Sequence, residues 1–323
     1  MAKKKKKLHL KYEVKKFLVY FIVILLILIY AVNEGNKLHK QAVYEKSYEY
    51  KLIKKKYPEE EAKKLSSTLS DEILDKILKE KNYNEMYYQI VTQKYYLNKN
   101  FNDYVSYQMQ HTYTDYAKTI SIINVKADKE WYKDSTKTNL DDGYLMLVNR
   151  HNYLEKDYER IDLEPFSLSY SYGSYGDNKA AKIVVEQFDK MQADLKNELG
   201  VQIMVTGAYR SYEEQENSFN KYGYDYATKP GYSEHQTGLG IDIVSTIHPK
   251  VKDFYESDEG KWIVENAYKY GFIIRYPLDK EDITEYDNDS LHIRYVGETV
   301  AKQIKDENIS FDEYHAYYVV GDK

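Results

Sequence analysis

The chain has 323 residues, a net charge of −5 at pH 7, 38 tyrosines and no cysteine. The length allows a core-forming domain plus a smaller element. The lack of cysteine excludes a disulfide scaffold, a thiolate nucleophile, an iron–sulfur centre and a cysteine-ligated zinc site. Residues 1–16 carry eight lysines and one glutamate, a net +7, which leaves −12 on the other 307 residues. This acidic remainder argues against nucleic acid as a partner, because neutralising phosphates needs basic surface.

The N-terminal residues predict a membrane anchor. An uncharged apolar run covers residues 17–32, directly after the lysines. A helix of this length spans roughly 24 Å at about 1.5 Å per residue, close to the ~30 Å hydrocarbon core of a bilayer. The lysine excess predicts that residues 1–33 are a cytoplasmic end and a single-pass anchor in the cell membrane, with the rest of the chain extracytoplasmic. A cleaved signal peptide is the alternative, although the run is long for one and no clean A-x-A cleavage site follows.

The next segment, residues 34–140, is polar and rich in lysine, tyrosine and asparagine. Pro58 followed by three glutamates predicts the first turn of a helix. Ser70 predicts the N-cap of a second helix, whose apolar stripe is Ile73, Leu74, Ile77 and Leu78. The segment is therefore predicted to be a helical, extracytoplasmic spacer. Its tyrosines are interpreted as fillers of half-buried positions rather than as a peptide-binding or glycan-binding surface.

The last segment, residues 141–323, mixes strands and helices without regular alternation. This pattern predicts the α+β class, with a small catalytic domain in which helices flank an antiparallel sheet. Strands are predicted within 143–154 and at 201–206, 239–244, 272–276 and 291–296, and helices at 178–199, 212–222 and 261–270.

Two of the eight histidines lie among small and acidic residues. His235 precedes Asp242 by seven positions, and His292 follows the acidic stretch D-N-D-S-L. Two histidines and one carboxylate leave a fourth tetrahedral position for water, which is the arrangement of a catalytic zinc. Gly238 and Gly240 would let the backbone pass close to a metal or substrate. The spacing alone is not specific, so a structural role for these histidines stays open.

The segment S-E-H-Q-T-G-L-G-I-D, residues 233–242, closely resembles a known signature. It is similar to the S-x-H-x-x-G-x-A-x-D motif of the VanY-type D-alanyl-D-alanine carboxypeptidases, which are LAS-type zinc peptidases that cut peptidoglycan stem peptides. Residues 207–215, 262–277 and 283–297 resemble three further segments of that family, in the same order. The resemblance covers roughly residues 141–310.

The resemblance implies a function and a set of site residues. The chain would be a membrane-anchored, Zn²⁺-dependent hydrolase that removes the terminal D-alanine from peptidoglycan stem peptides ending in D-Ala-D-Ala. Arg210 would bind the scissile carbonyl and stabilise the developing oxyanion. The implied zinc ligands are His235, Asp242 and His292, and Ser233 and Gln215 would line the substrate cleft.

One motif departs from the family pattern. The family's general base is a glutamate three residues before the last histidine ligand, and this chain has Asp289 there. Ser290 and Leu291 replace a proline and a tryptophan, and Glu285 replaces a glycine. A shorter acid on a straighter strand would withdraw the carboxylate from the reacting water, so Asp287 and Glu285 are alternative bases.

Two other functions therefore stay open. One is a catalytically weak or inactive relative that binds cell-wall peptides. The other is a dipeptidase or endopeptidase of the same family, because the loops that close the cleft set this specificity and the sequence does not reveal their shape.

Overall fold

The computed structural model describes residues 2–167, 169–171, 177–224, 226–248, 251–287 and 289–321, without the side chains of residues 2–10, 13, 251–253 and 289–291. The chain divides into two compact units, Met1–Thr92 and Gln93–Lys323. The second unit begins well before residue 141, where the sequence analysis placed the start of the catalytic domain. Residues 93–140 therefore belong to the same compact unit as the sheet described below.

The first unit is helical. Its elements are α1 (Ala2–Tyr44), α2 (Tyr48–Lys54), α3 (Glu59–Thr68), α4 (Asp71–Lys79) and α5 (Met86–Val91). By length and composition, the part of α1 from residue 14 to residue 44 could cross a membrane. The predicted cap of α4 is present, because the Ser70 side chain accepts a hydrogen bond from the backbone N–H of Ile73. Leu74 and Ile77 of the predicted apolar stripe are buried.

The second unit contains nine described α-helices and two short strand pairs. The helices are α6 (Phe101–Gln110), α7 (Tyr116–Val125), α8 (Lys182–Leu199), α9 (Tyr212–Tyr222), α10 (Val251–Glu256), α11 (Asp258–Asn266), α12 (Glu281–Thr284), α13 (Glu298–Glu307) and α14 (Phe311–Tyr314). β1 (Thr136–Lys137) pairs in parallel with β2 (Asn152–Tyr153). β3 (Leu163–Pro165) pairs antiparallel with β4 (Lys179–Ala181).

A four-stranded antiparallel sheet forms the centre of this unit. Its strands are β5 (Ile203–Gly207), β6 (Gly240–Ser245), β7 (Phe272–Tyr276) and β8 (Asp289–Tyr295), in the spatial order β5-β6-β8-β7. The predicted α+β class, with helices around an antiparallel sheet, is confirmed.

One face of the sheet forms the main hydrophobic core. Phe188 and Met191 of α8 belong to the same buried cluster as Ile241, Ile243 and Ile293 of the sheet. Because side chains alternate along a strand, the residues between these isoleucines lie on the opposite face. That opposite face carries the polar residues of the candidate site.

Two predicted elements differ from the structure. Residues 143–154 do not form one continuous strand. A 3-10 helix covers Leu140–Leu145, Gly143 has φ +59°, which interrupts an extended backbone, and the described strand in this range is the two-residue β2, Asn152–Tyr153. The helix predicted from residue 178 begins only at Lys182, because Lys179–Ala181 pair as β4 with β3. In the second case pairing with a distant segment outweighs the local helical pattern.

Candidate metal centre

The three predicted metal ligands come together from three separate elements. His235 lies in the 3-10 helix Glu234–Thr237, Asp242 lies in β6, and His292 lies directly opposite Asp242 in β8. Each residue offers one ligand atom, and these atoms all lie within 4.8 Å of one another. Asp242 Oδ1 is 2.8 Å from His292 Nδ1, and Asp242 Oδ2 is 3.3 Å from His235 Nε2. The antiparallel pairing of β6 with β8 and the position of the short helix thus bring three donor groups close together.

These residues fit a zinc ion. Two imidazoles and one carboxylate are one of the donor sets found in catalytic zinc sites, and the Nδ1 atom of His235 is buried with no hydrogen-bond partner among the described residues. Two glycines leave the space beside the ligands free of side chains. A Cβ on Gly207 would lie 2.4 Å from Asp242 Oδ2, and a Cβ on Gly240 would lie 2.7 Å from His292 Nε2.

The ligands also bias one another's protonation. Burial alone would raise the pKa of Asp242, but the contacts with His235 and His292 outweigh burial and hold that pKa well below its usual range. Burial alone would lower the pKa of His292, but hydrogen bonds with Asp242 and Glu234 raise it to about 9. A cation that binds here would therefore displace a proton from His292.

Glu234 is a site residue that the sequence analysis missed. Its carboxylate is 1% exposed, and its Oε2 atom lies 3.2 Å from His292 Nε2. The other oxygen, Oε1, lies 2.8 Å from Arg275 Nε and 2.8 Å from Arg294 Nη1. These contacts hold the pKa of Glu234 below its usual range despite its burial. The available signal was an arginine within each of the two apolar strands β7 and β8, Arg275 and Arg294, because a buried guanidinium requires a buried acid.

The same network extends to α14. The Arg275 guanidinium donates hydrogen bonds to both carboxylate oxygens of Asp312, with Nη1 at 2.5 Å and Nη2 at 3.2 Å. The side chain of Asn149 donates to Asp312 Oδ1 at 2.8 Å. Ionic hydrogen bonds therefore connect the His235 helix with β7, β8 and α14. Such outer contacts fix the orientation of metal ligands.

Arg210 is anchored next to the histidine helix. Its backbone N–H donates to the His235 carbonyl at 3.3 Å, and its Nη1 atom donates to Gln215 Oε1 at 2.8 Å. Gln215 is buried and in turn donates to the Thr228 carbonyl at 2.8 Å. Ser233 is buried directly before the same 3-10 helix. Arg210 and Gln215 thus lie on one segment and Ser233 on another, and the hydrogen bond from Arg210 to the His235 carbonyl links the two segments.

The candidate bases occupy different environments. Asp289 begins β8 opposite Tyr276, and its side chain lies outside the described residues. Glu285 is engaged elsewhere, since its carboxylate contacts His151 Nε2 and Trp131 Nε1, each at 2.6 Å. Asp287 is exposed.

Comparison with known proteins identifies a family. The VanY family model, described as D-alanyl-D-alanine carboxypeptidase, matches residues 177–298. The chain is 36% identical over 188 residues to YodJ of Bacillus subtilis, covering 54% of this chain and 67% of YodJ. It is 33% identical over 190 residues to a D-alanyl-D-alanine carboxypeptidase of Enterococcus faecium, covering 57% of this chain and 61% of that enzyme.

The fold resembles a solved peptidase structure. The LdcB LD-carboxypeptidase matches with a TM-score of 0.53 and 34% sequence identity, covering 57% of this chain and 91% of LdcB. The fold and the site together define a peptidase of the VanY type. The chain belongs to the VanY family of D-alanyl-D-alanine carboxypeptidases.

Proposed function

We propose that the protein is a zinc-dependent D-alanyl-D-alanine carboxypeptidase that trims peptidoglycan stem peptides. The observation that carries this proposal is the convergence of His235, Asp242 and His292 within 4.8 Å. The anchored Arg210 beside them and the Enterococcus faecium relative, named as a D-alanyl-D-alanine carboxypeptidase, support it.

The protein's own side chains have distinct roles in this reaction. His235, Asp242 and His292 hold the zinc ion, which when bound polarises a carbonyl and lowers the pKa of a bound water to about 7. Arg210, oriented by Gln215, donates hydrogen bonds to the oxygen of the scissile carbonyl as negative charge develops there. Asp289 accepts the proton of the attacking water and passes it to the leaving amine of D-alanine.

The proposal includes a location. Helix α1 anchors the chain in the cell membrane through residues 17–32, with the lysine-rich end in the cytoplasm and the peptidase unit outside. The substrate, a stem peptide ending in D-Ala-D-Ala, is then on the same side of the membrane as the site. Helices α2 to α5, the rest of the first unit, act as an extracytoplasmic spacer.

The test uses the full chain in detergent and a synthetic pentapeptide ending in D-Ala-D-Ala. We expect one D-alanine to be released per peptide, with the activity lost after chelation and restored by zinc. His292→Ala should lose bound zinc, whereas Asp289→Ala should keep zinc and lose hydrolysis. Zinc bound at one ion per chain without hydrolysis of this pentapeptide or of the shorter tetrapeptide would instead indicate a peptide-binding relative.

A second specificity has an observation in its favour. The matching structure LdcB is named as an LD-carboxypeptidase rather than a D-alanyl-D-alanine carboxypeptidase. A tetrapeptide substrate, already lacking the last D-alanine, separates the two specificities. Mass spectrometry of the products from both peptides also reveals a dipeptidase or an endopeptidase, because each leaves a different fragment.

A further inference from the structure

Glu285 has an unusual backbone conformation. It ends α12 with φ 60° and ψ 20°, in the left-handed region that favours glycine. The side chain compensates for this conformation, because its carboxylate is only 10% exposed and makes two short contacts. Oε1 accepts a hydrogen bond from Trp131 Nε1 at 2.6 Å, and Oε2 lies 2.6 Å from His151 Nε2. We name these three residues, Trp131, His151 and Glu285, the clamp.

His151, the clamp residue farthest along the chain from α12 apart from Trp131, is buried and hydrogen-bonded through its backbone. The His151 side chain is 2% exposed. Its backbone N–H donates to Asn149 Oδ1 at 2.9 Å, and its carbonyl accepts from the Thr136 N–H at 2.8 Å. His151 is therefore fixed by β1 and by the turn before β2. A carboxylate hydrogen-bonded to it is fixed as well.

A series of ring contacts leads from the clamp to the metal centre. The Arg150 guanidinium lies 3.4 Å from the centre of the Trp131 ring and 4.5 Å from the Tyr286 ring. The Tyr286 and Tyr276 ring centres are 4.6 Å apart, and Tyr276 lies 5.4 Å from the His292 ring. The two residues that leave α12, Glu285 and Tyr286, are thus both held by the 131–151 segment.

We infer that Glu285 is a positioning residue, which fixes residues 285–287 after α12 and thereby supports the segment that leads to Asp289, the proposed base. Glu285 stands where the family motif has a glycine. Its side chain links the residues after α12 to Trp131 and His151. This inference rests on the proposed function, because Asp289 needs a defined position only if it transfers a proton.

Two substitutions at one position separate positioning from acid–base chemistry. Glu285→Gly suits the left-handed backbone but removes the clamp, whereas Glu285→Gln has the same shape and retains a hydrogen-bond acceptor for Trp131. In the full chain in detergent with zinc, we expect Glu285→Gly to lower kcat on the pentapeptide by roughly tenfold to a hundredfold. KM and one zinc per chain should stay unchanged, and Glu285→Gln should retain most of kcat.

The chain offers a matched control. Asn308 ends α13 in the same left-handed conformation, with φ 51°, and lies outside the clamp. Asn308→Gly makes the same backbone change and should leave kcat unchanged. Trp131→Phe removes one hydrogen-bond donor but keeps a ring beside Arg150. We expect it to lower kcat in the same direction as Glu285→Gly, by a smaller factor, and to have no further effect when combined with it.

Three results would overturn the inference: wild-type kcat in Glu285→Gly, equal loss in Glu285→Gln and Glu285→Gly, or loss of zinc together with kcat. The second would make Glu285 an acid or base, and the third would make it a support of the metal ligands.

If the wild-type chain binds zinc but releases no D-alanine, the proposed function fails while the clamp stays testable. Amide hydrogen exchange around residues 285–287 should then be faster in Glu285→Gly than in Glu285→Gln, and equal rates would reject the clamp.

Discussion

The lack of a side chain at Gly207 lets the backbone of β5 pass close to Asp242, a proposed zinc ligand. A Cβ at this position would lie 2.4 Å from Asp242 Oδ2 and 3.2 Å from its Cγ atom, so Gly207→Ala must displace the carboxylate. Because small displacements of ligands and their supports weaken metal sites, we expect zinc affinity to fall by about tenfold to a hundredfold. Competition with a chromophoric chelator measures this loss.

The matching control for this prediction is Gly35→Ala. A Cβ at Gly35 meets no described heavy atom within 4 Å, so zinc affinity should not change. Unchanged zinc affinity in Gly207→Ala would show that Asp242 does not bind the metal or that β5 can move away without cost.

Arg275 forms buried ion pairs with Glu234 and Asp312 next to the candidate metal centre. Its side chain is fully buried between Glu234 and Asp312. Arg275→Met would leave both carboxylates without this partner, and breaking a buried ion pair in this way typically costs about 3–5 kcal/mol of unfolding free energy. Urea unfolding followed by tryptophan fluorescence measures the loss in the second unit, since both tryptophans, Trp131 and Trp262, lie there.

An exposed ion pair provides the comparison for Arg275→Met. Lys302 pairs with Asp306 on the surface of α13, and such pairs contribute little to stability. Lys302→Met should therefore leave the urea midpoint unchanged. Equal midpoints for both variants would contradict a supporting role for the buried network.

At the scale of single residues, the sequence could predict which three side chains come together at the candidate metal centre but not the residues that support them. His235 and Asp242 occur in one ten-residue motif, so a local pattern reveals them. Glu234 stands in the same motif, but its guanidinium partner Arg275 is 41 positions away. Only the pairing of β7 with β8 places the two arginines around Glu234, and no local pattern encodes that pairing.

At the scale of elements, prediction succeeded where the chain marks its own boundaries. The strand at 272–276 was predicted with its observed ends, because Gly271 precedes it with φ +79° and Pro277 follows it. The α9 boundaries were also predicted, and Ser211 and Glu214 form a capping box there. β4 was missed because three residues pair only with a distant strand.

One hydrogen-bonded group ties helix α13 to residues 94 and 95. Burial alone would raise the pKa of Glu307, but hydrogen bonds from Lys94, Tyr95, Gln303 and Tyr318 lower it to about 2 from its ordinary value of 4.5. A carboxylate with a depressed pKa stabilises the folded state above its unfolded pKa, and this contribution is lost as the pH falls from about 4.5 to 2.

Glu307→Gln tests this contact. The variant should unfold at lower urea than the wild type at pH 7, and the difference should shrink as the pH falls from 4.5 towards 2. Tryptophan fluorescence at pH 7, 4.5 and 3 follows the change. Asp306→Asn, on the same helix, removes a carboxylate paired with exposed Lys302 and should show no such convergence. If the difference in urea midpoint between Glu307→Gln and the wild type did not change with pH, packing and neutral hydrogen bonds rather than the charge of Glu307 would account for the stability of this contact.

At the scale of the whole molecule, the most consequential boundary is the one at Gln93. The sequence grouped residues 93–140 with a polar spacer because their composition resembles that of residues 34–92. In the structure, Ile122 and Val125 of α7 share a buried cluster with Ile283 and Ala316. Composition records how polar a segment is, whereas membership of a domain depends on which distant residues cover its few apolar side chains.

The absence of cysteine makes the proposed membrane topology directly testable, because a single introduced thiol has no background. Lys11 precedes the apolar run and Ser67 lies exposed in α3, so the anchor hypothesis places them on opposite sides of the membrane. In intact cells, a membrane-impermeant thiol reagent should label Ser67→Cys and leave Lys11→Cys unlabelled until the cells are lysed.

The same two variants distinguish an anchor from a cleaved signal peptide. With an anchor, Lys11→Cys is labelled after lysis on a chain of full length, because the lysine-rich end stays attached. With a cleaved signal peptide, the mature chain is shorter and carries no thiol from position 11, while Ser67→Cys is still labelled from outside. Labelling of Lys11→Cys in intact cells would invert the topology. Because a stem peptide outside the membrane could then not reach the His235 site, that result would also contradict the proposed substrate.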